Sequence, residues 1–242
     1  MRLSVIIPAY NEAKRIGPTL EAVGSWLAAQ AYSSEIVVVN NRSTDETAEV
    51  VRGYVHRFPS LRLLDEKRPG KGYAVTSGML FGTGEIRLFT DADNSTSIEH
   101  FEAMEPYLRQ GYDVVIGSLA AKGSKVVHGG EEPFWRQLLG KLGNLWIQFW
   151  AVPGIWDTQR GFKVFTAKAA DDIFRRMTTF GWGFDVEVLA IARARGYRIK
   201  EVPITWNNDP DSKVNMWAYP KVLLETLRVA WNRIRGTYRK NL

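Results

Sequence analysis

The chain is expected to fold as an α/β protein, a mostly parallel central sheet flanked by helices. Three observations predict it. Short runs of continuous Val, Ile and Leu, such as "LSVIIP" and "EIVVVN", recur through roughly the first 120 residues, and strands buried on both faces read this way. Longer stretches with helical spacing separate them, the alternation expected of parallel strands joined by crossover helices. The polar segments "PAYNE", "NNRSTDET" and "DADNST" each follow one of the apolar runs. Ligands of open parallel sheets bind beyond the carboxyl ends of the strands, so the three segments mark one shared edge.

Taken in order, the strand-like runs are Leu3–Pro8, Glu35–Asn40, Leu61–Asp65, Ile86–Thr90 and Asp113–Ser118. Helical patterns lie between them near 17–30, 44–58, 72–82 and 97–110. The stretch Gly117–Pro133 has little periodicity and reads as a mobile loop. Phe134–Trp150 then sets Trp135, Leu138, Leu139, Leu142, Trp146, Phe149 and Trp150 at helical spacing, with Arg136, Gln137, Lys141, Asn144 and Gln148 away from them. Further strands and helices follow, and a helical stretch from about Tyr219 to Arg239 closes the chain. No internal repeat, low-complexity segment or linker interrupts the 242 residues, so a single domain is expected.

Composition narrows the function classes. Hydrophobic residues make up 45% and charged residues 24%, enough apolar surface for a core and too little charge for disorder. The absence of cysteine excludes disulfides and thiolate metal sites. A formal charge of +6 and a pI near 9.5 favour an anionic partner: phosphates, nucleic acid or an acidic membrane surface. The basic residues are spread out and no nucleic-acid-binding motif appears, so nucleic acid is not expected as a partner. The opening "MRLSVIIPAYNEAK" is too briefly apolar for a signal peptide. No apolar run reaches the roughly 18 residues a spanning helix needs.

The segment "LFTDADNST" ends a buried-looking run with two carboxylates, Asp91 and Asp93. Residues i and i+2 of an extended segment share a face, and like charges that close repel unless a cation lies between them. Hard carboxylate oxygens suit Mg²⁺ or Mn²⁺ that also binds a diphosphate. The same residues also suit a plain turn after a strand.

Together with "SVIIPAYNEAKRI" and "EIVVVNNRSTDET", this motif resembles the family 2 glycosyltransferases. The later "DTQRGFKVF", "GWGFDVEVL" and "EVPITWNNDPDSKV" are similar to the dolichyl-phosphate β-glucosyltransferase branch and its prokaryotic polyprenyl-phosphate relatives. The likeness runs from Leu3 to about Lys213. It implies the GT-A fold, with a Rossmann-like nucleotide-binding half at 1–118, an acceptor half at 119–218 and an amphipathic basic helix at 219–242.

The resemblance also implies roles. Pro8, Tyr10 and Glu12 match the nucleotide pocket; Asp91 and Asp93 match the metal and diphosphate motif. Lys71 in "PGKGYA" matches a Gly-rich loop near the nucleotide, though a solvated lysine in a turn would look alike. Asp157, Gln159 and Lys163 match the motif near the donor sugar and acceptor phosphate. Asp185 and Glu187 match an acidic pair lining the sugar pocket; the first turn of a helix, where carboxylates favour the dipole, has the same spacing. Asp93, Asp185 and Gln159 are the expected catalytic set.

Two departures stand out. Asn40 and Asn41 replace paired aspartates, one of which accepts from the base, and Arg42 replaces a glycine. An amide oxygen still accepts from uracil N3–H but without charge assistance; the resemblance keeps UDP as the expected donor base, and GDP, which presents two N–H donors to a carboxylate, is less expected. Leu119 stands where relatives often carry Arg, leaving Lys122, Lys125, Arg136 or Lys213 to bind the acceptor phosphate.

The implied reaction moves a hexose, glucose by resemblance, from UDP to a polyprenyl phosphate. A phosphate monoester is largely ionised near neutral pH, so it needs little general-base help. In-line attack at C1 inverts an α-linked donor to a β-linked product. The aromatic helix and the C-terminal stretch, with Leu223, Leu227, Ala230, Trp231 and Ile234 beside Lys221, Arg228, Arg233, Arg235 and Arg239, fit either burial against the sheet or an anionic membrane interface. The Trp-rich "NLWIQFWAVPGIW" favours the membrane for the first helix. The expected location is peripheral, on the cytoplasmic face of a membrane. Rival readings are a same-fold transferase with a saccharide acceptor, where Asp185 serves as base, and a non-catalytic membrane-associated relative.

Overall fold

Residues 2–127, 134–207 and 218–240 are described by a computed structural model, with side chains from 140 and from 220 onward in the latter two segments except Lys141. Strands β1 (Leu3–Ala9), β2 (Ser34–Asn40), β3 (Leu61–Asp65), β4 (Ile86–Thr90) and β5 (Val114–Ser118) match the apolar runs to within a residue. Helices α1 (Ile16–Ala28), α2 (Thr47–Tyr54), α3 (Lys71–Phe81) and α4 (His100–Arg109) occupy the periodic stretches between them. The chain continues through β6 (Lys125–Val127), α5 (Phe134–Trp150), β7 (Phe162–Thr166), α6 (Ala167–Arg175), α7 (Phe184–Ala194), β8 (Ile199–Pro203), β9 (Thr205–Asn207) and α8 (Ala218–Ile234).

Seven strands form one sheet in the order β3-β2-β1-β4-β7-β5-β8, and all pair in parallel except β7, which runs antiparallel to β4 and β5. Alternation along each strand feeds two cores. Leu3, Val5 and Ile7 of β1 and Ile36 and Val38 of β2 pack one face with α1 and α4; Ile6, Val37 and Val39 pack the other with α3, α6 and α7. Each fully buried Val or Ile side chain contributes on the order of 1.5–3 kcal/mol.

The antiparallel β7 matters for the site. Its N-terminal end lies at the edge where the parallel strands end, with Thr90 opposite Phe162 and Phe89 opposite Lys163. Residues 156–161 are thus delivered beside Asp91.

Two elements differ from the sequence expectation. Residues 125–127 of the expected loop form β6, which pairs in parallel with β9; three residues are too few to carry a periodic signal. The C-terminal helix stops at Ile234 because Gly236 takes the left-handed conformation (φ +70°), and a short 3₁₀ turn, Thr237–Arg239, follows.

Candidate active site

Three loops line the carboxyl edge of the sheet, after β1, β2 and β4, and each contains one non-glycine residue with positive φ: Asn11 (54°), Arg42 (62°) and Asn94 (52°). Such conformations are costly outside glycine and cluster where a site over-determines the backbone. The loops are laced together: Asn11 N donates to Ser43 Oγ (3.0 Å), Glu12 N to Thr47 Oγ1 (2.8 Å) and Thr44 N to Asn11 Oδ1 (2.8 Å). Pro8 ends buried in β1, the Tyr10 ring is half-exposed at the rim, and the Glu12 carboxylate pairs with Arg15 at 2.6 Å.

Asn41 departs from the expected base-reading role. Its amide is turned inward, donating to Glu66 O (3.2 Å) and Arg68 O (2.7 Å) and accepting from Gly70 N (3.1 Å). A carboxylate could not donate those two bonds, so the asparagine brackets the loop that leads to Lys71. Asn40 stays at the rim, accepting from Ser43 N (3.2 Å) and donating to Asp65 Oδ1 (2.8 Å). Exposed Asp65, at the end of β3, thus puts a carboxylate beside the amide pair. The loop is further held by Glu66, paired with Arg68 at 2.7 Å and with its pKa pulled down to about 2, chiefly by that bond.

At the centre, Lys71 Nζ lies 2.6 Å from Asp91 Oδ1. Burial works to lower the Lys71 pKa, but Asp91, Asp185 and Asp93 outweigh it and hold the ammonium above the ordinary lysine value. One lysine therefore serves all three carboxylates. Asp91 and Asp93 do not converge through a strand pleat, as expected: β4 ends at Thr90 and both lie in the following turn, where Asp93 Oδ1 accepts from Ser95 N (3.0 Å). Asp91 is seated by backbone instead. Its N–H donates to Gly161 O (3.2 Å), and a Cβ on Gly161 would collide with its carboxylate.

Asp185 and Glu187 both fall in the first turn of α7, and residues two apart on a helix do not face each other. Asp185, 4% exposed, pairs with Lys163 Nζ at 2.6 Å. Burial pushes its pKa up, against the lowering effect of Lys163 and Lys71. Glu187 is a correction to the expected acidic pair: fully buried on the opposite side, it accepts from Thr178 N (2.8 Å), Thr179 N (2.6 Å) and Tyr238 Oη (2.7 Å). That network ties the C-terminal turn to α7. Lys163 is a second correction, because its side chain is 0% exposed and donates to Arg160 O (2.5 Å) and Asp185. Enclosed in the core, it orients Asp185.

The 156–160 loop is clamped by Glu201 of β8, which accepts from Trp156 N and Asp157 N at 3.1 Å each. Asp157 Oδ2 accepts from Leu119 N (2.8 Å) and Arg160 Nε (3.2 Å), and Gln159 is exposed at the rim. Lys122 and Lys125 are exposed on the β5–β6 segment. The Arg136 side chain and all of Lys213 lie outside the described residues. Sequence reasoning missed Arg160, stacked 4.5 Å over Trp206, and Gly161. Both sit inside "DTQRGFK", where only the acidic, amide and lysine positions drew notice.

Whether these residues could hold Mg²⁺ or Mn²⁺ turns on the donor set. Among the described residues no group of three or more His, Cys, Asp or Glu could hold an ion alone. Asp91 Oδ1 is nevertheless buried, with the ion pair to Lys71 as its contact and oxygen lone pairs left for a cation. Mg²⁺ is commonly bound by one or two carboxylates plus substrate phosphates and water, and Asp91 with Asp93 fits that mode.

Residues 4–174 match the family described as glycosyl transferase family 2. A dolichyl-phosphate beta-glucosyltransferase of Trichomonas vaginalis is 37% identical over 235 residues, covering 93% of this chain and 69% of that protein. The human dolichyl-phosphate beta-glucosyltransferase is 31% identical over 254 residues, covering 98% and 78%. Among solved structures, glucosyl-3-phosphoglycerate synthase of Mycobacterium tuberculosis, in complex with Mn²⁺, UDP-glucose and phosphoglyceric acid, superposes with a TM-score of 0.69 at 16% identity, over 96% of this chain and 79% of that one. S. aureus TarS with UDP-GlcNAc gives 0.60 at 20% identity, over 97% and 66%. These likenesses assign the GT-A fold.

Proposed function

Since the chain belongs to glycosyl transferase family 2 and is a glycosyltransferase, we propose that it transfers glucose from UDP-glucose to a polyprenyl phosphate such as dolichyl phosphate, with inversion at C1. The observation that carries the reading is Lys71 set among Asp91, Asp93 and Asp185 at the carboxyl edge of the sheet. The names of the relatives supply the sugar and the lipid, and structures of the same fold contain UDP with Mn²⁺ or Mg²⁺.

Tyr10 offers a ring for the base, and Asn40 with Asp65 offers acceptors for uracil N3–H. Asp91 and Asp93 would hold the divalent cation, which when bound neutralises the departing diphosphate. Lys71 supplies a positive charge from the other side. Asp185, held by Lys163, faces the sugar from the first turn of α7. Its burial and its lysine partners suit orientation of the sugar better than proton abstraction, and an ionised phosphate acceptor requires no strong base. Among the described residues, Arg160, Lys122 and Lys125 are cations that could serve the acceptor phosphate, and holding two anionic groups together is the main catalytic demand.

The acceptor's lipid calls for a membrane surface. No described helix is long and apolar enough to cross a membrane. Helices α5 and α8 touch each other and turn large apolar side chains outward: Leu142, Leu145 and Phe149 (73% exposed) on one, Leu224, Trp231 and Ile234 on the other. No acidic residue occurs on α5, and the single acid of α8, Glu225, points inward to Gly183 N. Exposed Lys221, Arg228 and Arg235 complete a face that suits an anionic bilayer.

The test is transfer from labelled UDP- and GDP-hexoses to a short polyprenyl phosphate with Mn²⁺ or Mg²⁺, scored by label in the organic phase. Label from UDP-glucose that is lost with EDTA or in Asp91→Asn is expected. Nucleotide binding without lipid labelling would refute the acceptor and point to a saccharide.

A further inference from the structure

Helix α7 begins without a cap of its own. Gly183 stands at its N-cap position and has no side chain to accept from the first-turn amides. The amide of the N-cap residue itself, one of the donors a helix start leaves unpaired, finds its acceptor on another helix: Gly183 N donates to Glu225 Oε2 of α8 at 2.5 Å. Two glycines make the approach possible. A Cβ on Gly181 would collide with Glu225 Oε1, and one on Gly183 would lie 2.8 Å from Oε2. The dipole of the 11-residue α7 favours an anion at this end.

The other side of the same turn rests on the Lys71 loop. Phe180 O accepts from Gly72 N (3.0 Å), and a Cβ on Gly70 would lie 2.5 Å from that oxygen. The Phe180 ring stacks on Tyr73 with centroids 3.9 Å apart and planes 8° from parallel. Gly70 and Gly72 flank Lys71, and Asp185 lies two residues past Gly183. Glu225 therefore meets, through one short turn, both charged groups that neighbour Asp91.

We propose that Glu225 is a positioning residue for the transfer reaction: it caps α7 from α8 and holds the 180–183 turn that sets Lys71 and Asp185 about Asp91. The functional half of this inference rests on the donor-site reading given above. Outward-facing Leu224 and Trp231 share α8 with Glu225, so the joint also connects the exposed helix face to the donor site.

Hydrogen exchange with peptide-level mass spectrometry on the full chain tests the joint itself. Glu225→Ala should raise exchange in residues 70–74 and 181–187 while 16–40 stays unchanged. Glu225→Gln, whose amide oxygen still accepts from Gly183, should stay close to wild type. Titration calorimetry then separates positioning from general damage: Glu225→Ala should bind UDP with Mn²⁺ about tenfold more weakly and leave UMP affinity unchanged. Unchanged exchange at 70–74, or equal losses for UDP and UMP, would overturn the proposal. If the wild-type protein binds neither nucleotide, the donor reading fails, and the capping joint still stands or falls on the exchange pattern.

Discussion

Replacing Lys163 by Met tests the account of the buried pair most directly. The lysine is fully enclosed and its ammonium meets Asp185 at 2.6 Å and Arg160 O at 2.5 Å. Met fills similar space but leaves a carboxylate that is 4% exposed without its nearest counter-charge. Removing one member of a buried pair costs roughly 3–5 kcal/mol. For a domain of this size that corresponds to a fall in Tm of about 6–20 °C. The loss should depend on pH with a definite sign. Burial already raises the Asp185 pKa, and Lys163 is the largest influence lowering it, so the variant's folded-state value rises further. A carboxyl group with a raised folded pKa favours the folded state fully below its ordinary value, and that contribution disappears as pH climbs through the raised one. Urea unfolding at pH 5 and pH 7.5 should therefore show a smaller deficit at pH 5, and Asp185→Asn in the same background should recover much of the loss. A deficit below about 1 kcal/mol, or one equal at both pH values, would mean that Lys163 does not compensate a buried charge.

Three further substitutions probe the loops. Arg42 holds φ +62° where glycine is at ease, so Arg42→Gly should stabilise by about 0.5–1 kcal/mol, read as a higher melting temperature. Gly161→Ala should push the Asp91 carboxylate out of place; calorimetry should find UDP–Mn²⁺ affinity reduced by at least about tenfold, with a stability loss of only roughly 1–3 kcal/mol. The Glu66 pKa, lowered to about 2 by Arg68, contributes stability present above pH 4.5 and lost as pH falls toward 2. Because Arg68 is 59% exposed, solvent screening limits this to about 0.5–1 kcal/mol, and Glu66→Gln should flatten the acid limb of urea stability by that amount.

Much of the architecture was legible because the sheet is buried on both faces, and continuous Val–Ile–Leu runs such as Ile36–Val39 leave few alternatives. The edge where the site lies was legible for the same reason, since polar loops after such strands have one place to go. What escaped the sequence depended on distance in the chain. Lys163 reads as a ligand-binding cation until β7 is seen to run antiparallel between β4 and β5, which carries its side chain into the core beneath Asp185. Glu187 reads as the partner of Asp185 until the segment is a helix, where a two-residue step turns the side chain away. Asn41 reads as a weakened base contact, yet its two donated bonds go to carbonyls 25 and 27 residues further along the chain. Glu225 carries no motif at all; only the packing of α8 on α7 brings it to Gly183.

The charges of the site also explain why a divalent cation belongs in the proposed reaction. Among the described residues, Asp91, Asp93 and Asp185 face Lys71 and Lys163, so at this centre three carboxylates meet two ammonium groups and little positive charge is left over for a donor. A nucleotide diphosphate adds further negative charge. At distances near 4 Å each like-charge contact costs on the order of 4 kcal/mol at an effective dielectric of about 20, more than Lys71 alone can offset while it is engaged with Asp91. Cation and diphosphate should therefore bind cooperatively, each raising the affinity of the other by the same factor, as linkage requires. Calorimetric titration of UDP with and without Mn²⁺, and of Mn²⁺ with and without UDP, measures both sides of that cycle. Equal factors of roughly tenfold or more are expected, reduced toward unity in Asp91→Asn. UDP that binds as tightly in EDTA as in Mn²⁺ would show that Lys71 supplies the neutralisation by itself, and the carboxylate pair would then need another role.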